Sequence, residues 1–241
     1  MSHDELIQAL FPDAAPMVPD NAGVIEGEQR LASGAKVTVI GLTGGRAVGA
    51  DVAMAVSACV LRHVAEHAGR PLVLLVDAGS QRMARRDELL GLNEYLAHLA
   101  KSLYLAAATG SRTLGVLYGA ASGGAMVASA LAVDELVAVP GAAPSVMNLA
   151  AMARVTKLDL AQLESMASRT PVFAPGVDPL FQMGGILERW GDPADYAGRL
   201  ASLLESAPDR DERDCLGARR GGRAKAAAVA GRVCAEAMRH A

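Results

Sequence analysis

The chain has 241 residues, of which 51% are hydrophobic and only 3% aromatic, and its formal net charge at pH 7 is −3. This length is enough for one large α/β domain or two small ones, and the near-neutral charge gives no general attraction to nucleic acid or to anionic membranes. Three scattered cysteines without a CxxC pair argue against a disulfide framework or a zinc ribbon, and they favour a reducing, cytoplasmic setting.

The first 30 residues differ in character from the rest. They contain Pro12, Pro16 and Pro19 and no pattern typical of a strand. We predict a short helix over 4–10 followed by an irregular arm that packs on the outside of a domain or on a partner. Because this segment is acidic and has no long apolar core, it does not resemble a secretory signal.

From Lys36 onward, buried strands alternate with helices. Crossover helices between strands that are apolar on both faces predict a mainly parallel sheet. We expect one domain over 31–206, followed by a segment over 207–241 that holds a charged linker (207–214) and a helix from about Ala218 to His240. The predicted strands are "KVTVIGLTGG", "RPLVLLVDAGS", "TLGVLYG" and "ELVAVPG"; the predicted helices are "GADVAMAVSACVLRHVAEHAG", "RRDELLGLNEYLAHLAKSLYLAAATG", "SGGAMVASALA", "TKLDLAQLESMASR" and "DPADYAGRLASLLES".

The run from Thr113 to Val133 contains no ionisable side chain except that of Tyr118. It is long enough to cross a membrane. However, its first half is typical of a strand and its middle is Ser-Gly-Gly, so we favour a strand, a tight turn and a buried helix.

Two glycine turns should meet at the carboxyl edge of the sheet. These turns are "DAGSQ" (77–81) and "GAASGGA" (119–125). Ligands bind at this edge in open α/β sheets, and the N–H groups at a helix start near Gly123 can stabilise a developing negative charge. The alternative is that the glycines only permit close packing. Neither turn matches a dinucleotide or P-loop motif.

The order of "GLTGGRAVG", "LVLLVDAGSQRM", a long helix and "GVLYGAASGGAMVAS" resembles the carboxyltransferase branch of the crotonase superfamily. The resemblance covers residues 35–155 and implies a crotonase-like α/β fold of repeated strand-strand-helix units, with a mainly parallel buried sheet and flanking helices. Within this branch, the chain is similar over nearly its whole length to the gamma subunits of malonate decarboxylases. Asn148-Leu149-Ala150-Ala151 stands where biotin-dependent relatives have Ser-Pro-Glu-Gly, which favours the decarboxylase.

The resemblance implies a subunit that is active only with a partner. A homologous beta subunit would hold a malonyl thioester, carried on the phosphopantetheine-type group of an acyl carrier protein that an alpha subunit, a transferase, serves. The turns of this chain would face the carboxylate that is lost as CO2. The implied site residues are Gly79, Ser80, Ser122, Gly123 and Gly124, and no metal or other cofactor is expected in this chain. The alternatives are a biotin-dependent carboxyltransferase subunit and a non-catalytic scaffold.

Several other residues could also carry function. Ser122 lacks the GxSxG context of a nucleophile, so we expect helix capping or a hydrogen bond to substrate. Ser80 and Gln81 are candidates for contacts with a carboxylate. The remaining expectations are a solvated helix end for His63 and His67 rather than a metal site, a packed or partner-facing His98 rather than a proton donor, either surface charge or an anion-binding role for Arg82, Arg85 and Arg86, and a partner-packing stripe of Ala228, Val229, Val233 and Met238 on the last helix.

Overall fold

The computed structural model describes residues 1–206 and 211–239 and contains two sheets. The strands are β1 (Val24–Arg30), β2 (Lys36–Val48), β3 (Leu72–Gln81), β4 (Thr113–Leu117), β5 (Ala120–Ser122), β6 (Glu135–Ala138), β7 (Ala143–Ser145) and β8 (Glu188–Arg189). In the larger sheet the strand order is β1-β2-β3-β4-β6-β8, with β1 antiparallel to β2 and all the other neighbours parallel. In the smaller sheet β5 and β7 are parallel.

Helices flank the larger sheet, and 3-10 turns at 171–173 and 193–195 connect some of them. The helices are α1 (His3–Leu10), α2 (Ala50–His67), α3 (Arg85–Leu89), α4 (Leu92–Ala108), α5 (Gly123–Ala128), α6 (Leu149–Thr156), α7 (Leu160–Ala167), α8 (Val177–Gln182), α9 (Tyr196–Glu205), α10 (Arg213–Arg219) and α11 (Ala226–Arg239).

A unit of two strands and a helix repeats along the chain. It appears directly in β4-β5-α5 and in β6-β7-α6. In β2 and β3 the two strands of the unit are continuous, and the pairing of β2 with β3 shifts register between Leu42 and Arg46. The repeating unit that the resemblance implied is therefore present, and the second strands β5 and β7 form the smaller sheet.

Both faces of the larger sheet are buried. Alternate residues of β3 point to opposite cores: Leu74 and Val76 belong to the core shared with α2, α4 and α5, whereas Val73 and Leu75 belong to the core shared with α1 and α9. The backbone approaches closely at Gly41, where a Cβ atom would lie 2.6 Å from Ile25 Cγ1. Burial on both faces explains why the parallel strands are apolar runs without alternation.

The N-terminal segment differs from the expectation. Its helix is present, with Ser2 accepting from the N–H of Glu5 and the Glu5 carboxylate accepting from the N–H of Ser2. However, the predicted absence of a strand is wrong, because β1 pairs along its whole length with β2. An antiparallel edge strand with one exposed face has polar residues at alternate positions, which hid it among the charged residues of the arm.

Two predicted helices differ from the observed ones. The helix predicted over 85–110 is divided into α3 and α4 by Gly91, whose φ of 75° lies outside the range of a right-handed helix. The helix predicted from about Ala218 begins only at Ala226, as α11, whereas α10 makes the end of the predicted linker helical, and Gly221 at φ 75° lies between the two. The first four residues of the predicted linker, 207–210, and the predicted helix end at His240 lie outside the described residues.

The apolar stripe predicted on the last helix is not a single narrow face. Val229 and Val233 share one side of α11, whereas Met238 lies about half a turn away and Ala228 falls on the polar half. All four side chains are exposed. The packing of α11 against a partner stays a prediction.

The uncharged run from Thr113 to Val133 forms β4, β5 and α5, which confirms the interpretation as strand, turn and buried helix. Among residues 1–206 and 211–239, no helix combines the length and the apolar character that a membrane span needs.

Candidate functional site

The two glycine turns meet at the carboxyl edge of the larger sheet, and Asp77 joins them. Its carboxylate accepts hydrogen bonds from the N–H groups of Gly44 and Gly45, both at 3.0 Å, and from the N–H of Ala120 at 2.9 Å. A Cβ atom on Gly119 would lie 2.2 Å from Asp77 Oδ1. Asp77 thus fixes three loops in one place, and these three N–H groups are already satisfied.

Gln81 makes the second link between the turns. Its Oε1 atom accepts from the N–H of Gly124 at 2.8 Å and from the hydroxyl of Ser80 at 2.9 Å. Of the N–H groups at the start of α5 that were expected to stabilise a negative charge, that of Gly124 is therefore already paired within the chain. Sequence reasoning placed Gln81 beside a possible carboxylate, but it did not predict this bond, because the bond joins residues 43 positions apart.

Ser122 lies at the N-cap position of α5, in extended backbone, with no hydrogen bond from its side chain to the helix. The expected capping role is therefore wrong. Ser122 is half-buried, and a hydrogen bond from its hydroxyl to substrate stays a prediction.

The glycines of the two turns differ in how much space a Cβ atom would have. A Cβ atom on Gly79 would lie 3.0 Å from the carbonyl oxygen of Gly45, so Gly79 serves the packing of β3 on β2. Gly123 has a φ of 57°, and its Cβ atom would lie 2.3 Å from Gln81 Oε1. At Gly124 the nearest atom would be Leu96 Cδ1 at 3.3 Å. A side chain is thus excluded by main chain at Gly79 and by the Gln81 side chain at Gly123, whereas Gly124 nearly has room for a Cβ atom.

The charges beside the site are mostly neutralised within the chain. Arg82 donates to Asp87 at 2.7 Å and to Asp51 at 2.8 Å. Hydrogen bonds from Arg82, and then one from the N–H of Ala50, lower the pKa of Asp87 to about 2. The guanidinium of Arg82 is therefore used in ion pairs within the chain. Exposed residues Arg85 and Arg86 remain candidates for an anionic partner.

His63 is not at a solvated helix end, so that expectation is wrong for this residue. Its ring is 2% exposed and lies 2.8 Å from Thr38 Oγ1 and 3.0 Å from Ser111 Oγ. Burial, and next the charge of His67, lower the pKa of His63. Among the described residues, no three His, Cys, Asp or Glu side chains are grouped as metal ligands. His98 is half-buried on α4, and neither its packing role nor proton transfer is tested.

Exposed apolar side chains continue from the site onto α6 and α7. This hairpin surface comprises Val146, Met147, Val155, Leu158, Leu160 and Val172, which are 37–68% exposed. It begins directly after β7, the strand that pairs with site strand β5. A cavity of about 590 Å³ lies elsewhere, at the amino edge of the sheet beside Arg112 and Glu135.

Comparisons with known proteins agree with this architecture. The model of a family described as malonate decarboxylase gamma subunit, MdcE, matches residues 43–237. A curated relative, the malonyl-S-ACP:biotin-protein carboxyltransferase MADD of Malonomonas rubra, is 30% identical over 122 residues, or 49% of this chain. The chain covers 42% of that relative's own length.

Solved structures give similar results. A Pseudomonas malonate decarboxylase hetero-tetramer in complex with coenzyme A is 25% identical, with a TM-score of 0.81 over 96% of this chain and 97% of that one. The Pseudomonas MdcD-MdcE hetero-dimer is 27% identical, with a TM-score of 0.75 over the same shares. Transcarboxylase 12S shares the fold, at 18% identity and a TM-score of 0.68 over 87% of this chain and 42% of that one. The crotonase-like fold expected from the sequence is confirmed.

Proposed function

The chain belongs to the family of malonate decarboxylase gamma subunits, and from this premise we propose that it forms one half of a decarboxylase site whose other half is a homologous beta subunit. The proposed substrate is a malonyl thioester on the phosphopantetheine-type group of an acyl carrier protein, loaded by an alpha subunit. The chain itself holds no further cofactor in this proposal.

The proposed reaction needs little covalent chemistry from the protein. The bond between the α-carbon and the carboxylate carbon breaks, CO2 leaves, and the electron pair forms the enolate of the acetyl thioester. A proton from solvent or from an acid then converts the enolate into the acetyl group. The negative charge moves from the carboxylate to the thioester oxygen, so donors placed at that oxygen lower the barrier.

One observation carries the proposal: the Ser80–Gln81 turn and the Gly123–Gly124 turn meet at the carboxyl edge of the sheet, and Asp77 holds them together. The turns offer neutral polar groups, which suit a carboxylate that must lose its charge. We assign to this chain the carboxylate end of the substrate, with the N–H of Gly123 and the hydroxyl of Ser122 as candidate donors. The thioester end belongs to the beta subunit.

The hairpin surface supports a shared site. It begins directly after β7, which pairs with site strand β5, and exposed apolar patches are typical of interaction sites. We therefore place the beta subunit across α6 and α7. In this arrangement the substrate lies between the subunits, as the hetero-dimeric assembly of the Pseudomonas relative suggests.

A biotin-dependent carboxyltransferase is the second candidate, because the name of the Malonomonas rubra relative includes a biotin protein. Against it, residues 148–151 simply begin α6, with Asn148 Oδ1 accepting from the N–H of Ala151 at 2.8 Å. A streptavidin blot of the complex purified from its natural source separates the two, since a biotinylated partner is expected only for the carboxyltransferase.

The proposal predicts that turnover requires both subunits. Release of CO2 from malonyl-pantetheine is measured for this chain, for the beta subunit and for the two together, and only the pair should be active. Rapid turnover by this chain alone would contradict the shared site. Full activity of the beta subunit alone would assign a scaffold role to this chain.

A further inference from the structure

The side-chain amide of Gln81 has a defined orientation. A backbone N–H can only donate, so the atom 2.8 Å from the Gly124 nitrogen must be the amide oxygen rather than the amide nitrogen. The Ser80 hydroxyl donates to the same oxygen at 2.9 Å. The Gly124 donor on Oε1 prevents the flip that usually leaves such amides ambiguous.

This orientation leaves the amide nitrogen with two N–H donors. Among the described residues, no acceptor takes a hydrogen bond from Gln81 Nε2, although the side chain is only partly exposed. Half-buried donors without partners in the free chain are satisfied by solvent or by a ligand. Because Oε1 is tied to the start of α5, the free donors stay beside the glycine turn.

The charge of the donor matters for a decarboxylation. A guanidinium would bind a carboxylate strongly in the ground state, and that attraction would be lost as the carboxylate becomes CO2. The adjacent Arg82 is directed away from this role by its bonds to Asp51 and Asp87. A neutral amide can instead hold the carboxylate in position at a smaller ground-state cost.

We propose that Gln81 Nε2 receives the substrate carboxylate and sets its orientation, while Gln81 Oε1 anchors the side chain to Gly124 and Ser80. This inference rests on the proposed function and names a specificity-determining residue for it. Gln81 thereby distinguishes a malonyl thioester, which carries the carboxylate, from the acetyl thioester that remains after the reaction.

Gln81→Glu tests the proposal in the assembled complex. The variant keeps the shape and the acceptor for Gly124, but it replaces the free donors with a negatively charged oxygen. We expect kcat/KM for malonyl-pantetheine to fall about 10- to 100-fold, the range for an unpaired charged group. The inhibition constant of acetyl-pantetheine should stay within about twofold of the wild-type value. Gln182→Glu, the same change at an exposed position on α8, is the matched control and should change neither quantity.

The ratio of the two effects decides the outcome. Equal weakening of malonyl and acetyl binding, or no effect on either, would overturn the role of Gln81, provided that the wild-type complex still releases CO2. A wild-type complex that releases none would remove the proposed function instead. If Gln81→Glu does not assemble, Gln81→Leu is measured in the same way, and failure of both variants to assemble would make Gln81 a scaffold residue and overturn the proposal.

Discussion

Asp77 shows how one side chain can hold the main chain of a candidate site together. It lies at the end of β3 and accepts from N–H groups of two other loops. Such bonds to a carboxylate are stronger than those between neutral groups. The main chain of the candidate site is therefore held in place by charge, while the groups left for a ligand are neutral.

Replacing Asp77 tests this role. Asp77→Ala leaves three N–H groups without their acceptor; those of the exposed Gly44 and Gly45 can bind water, whereas that of the half-buried Ala120 is more costly to leave unpaired. We expect the free energy of unfolding to fall by about 1–3 kcal/mol in urea titrations. Asp13→Ala, at an exposed position of the arm, is the control and should change it by less than about 0.5 kcal/mol. Equal stability of the two variants would argue against this role of Asp77.

The two glycines Gly79 and Gly124 should respond differently to a methyl group. In Gly79→Ala the Cβ atom meets main chain at 3.0 Å, so we expect a loss of stability of about 1–3 kcal/mol. In Gly124→Ala the contacts are ordinary or nearly so, and we expect normal assembly with turnover lowered at least about tenfold, or 1.4 kcal/mol in the barrier. The melting temperature and the turnover of each purified complex are the measurements. A Gly124→Ala complex of full activity would make this turn purely structural.

At the scale of the element, α2 is fixed to the sheet by His63. The ring contacts Thr38 on β2 and Ser111 just before β4. Burial keeps the pKa of this histidine below its usual 6.5, with the charges of His67 and Arg70 acting in the same direction. The helix therefore depends on a neutral imidazole.

This dependence predicts a pH effect on stability. Between the lowered pKa in the folded chain and 6.5 in the unfolded chain, only the unfolded state binds the proton, so acid favours unfolding. We expect the free energy of unfolding to be constant above about pH 7 and to fall below pH 6.5, by at most about 1.4 kcal/mol per pH unit for this one group. Chemical denaturation from pH 5.5 to 8 measures it. His63→Gln should show a smaller slope in this window, and an unchanged slope would assign the effect to other groups.

Helices and strands could be predicted where a local pattern of apolar residues marks them. The parallel strands and α2 were predicted because burial on both faces or along one stripe leaves a local apolar pattern, as in Leu72–Val76. Strand β1 was missed because its pattern is half polar. The break at Gly91 depends on a positive φ, which the residue type permits but does not require.

The candidate site was predictable only in part. The turns could be located because parallel strands bring their carboxyl ends to one edge. The partners of Asp77 and Gln81 could not, since each bond depends on tertiary register between residues 32 to 43 positions apart. His63 looked like a surface residue because its two partners, Thr38 and Ser111, are 25 and 48 positions away in the sequence.

At the scale of the whole molecule, the described surface exposes apolar side chains, as expected for a subunit that binds a partner. The hairpin surface leaves Val155 at 68% and Val172 at 54% exposure, next to the candidate site. Burial of such side chains against a second protein would remove apolar area from water, which is the main favourable term in association. The isolated chain thus retains surface that its proposed partner would cover.

A charge placed on this surface tests the assembly. Val155→Glu should leave the melting temperature of the isolated chain unchanged, because the side chain is already exposed, and should weaken binding to the beta subunit at least about tenfold. Tyr104→Glu is the control, since Tyr104 is 72% exposed on α4. The dissociation constants are measured by calorimetry. Equal affinity of both variants would place the partner elsewhere.

The hydrogen bonds that Asp77 accepts also bear on the order in which the chain folds. Its acceptor bonds close loops of 32, 33 and 43 residues, so they form only after β2, β3 and β4 have aligned. Contacts between residues distant in sequence form slowly, because loop closure costs entropy before any contact is gained. We therefore expect the turns at the carboxyl edge to become ordered no earlier than the central strands, so that a partner that recognises their shape meets them only on a chain whose central strands are already in register.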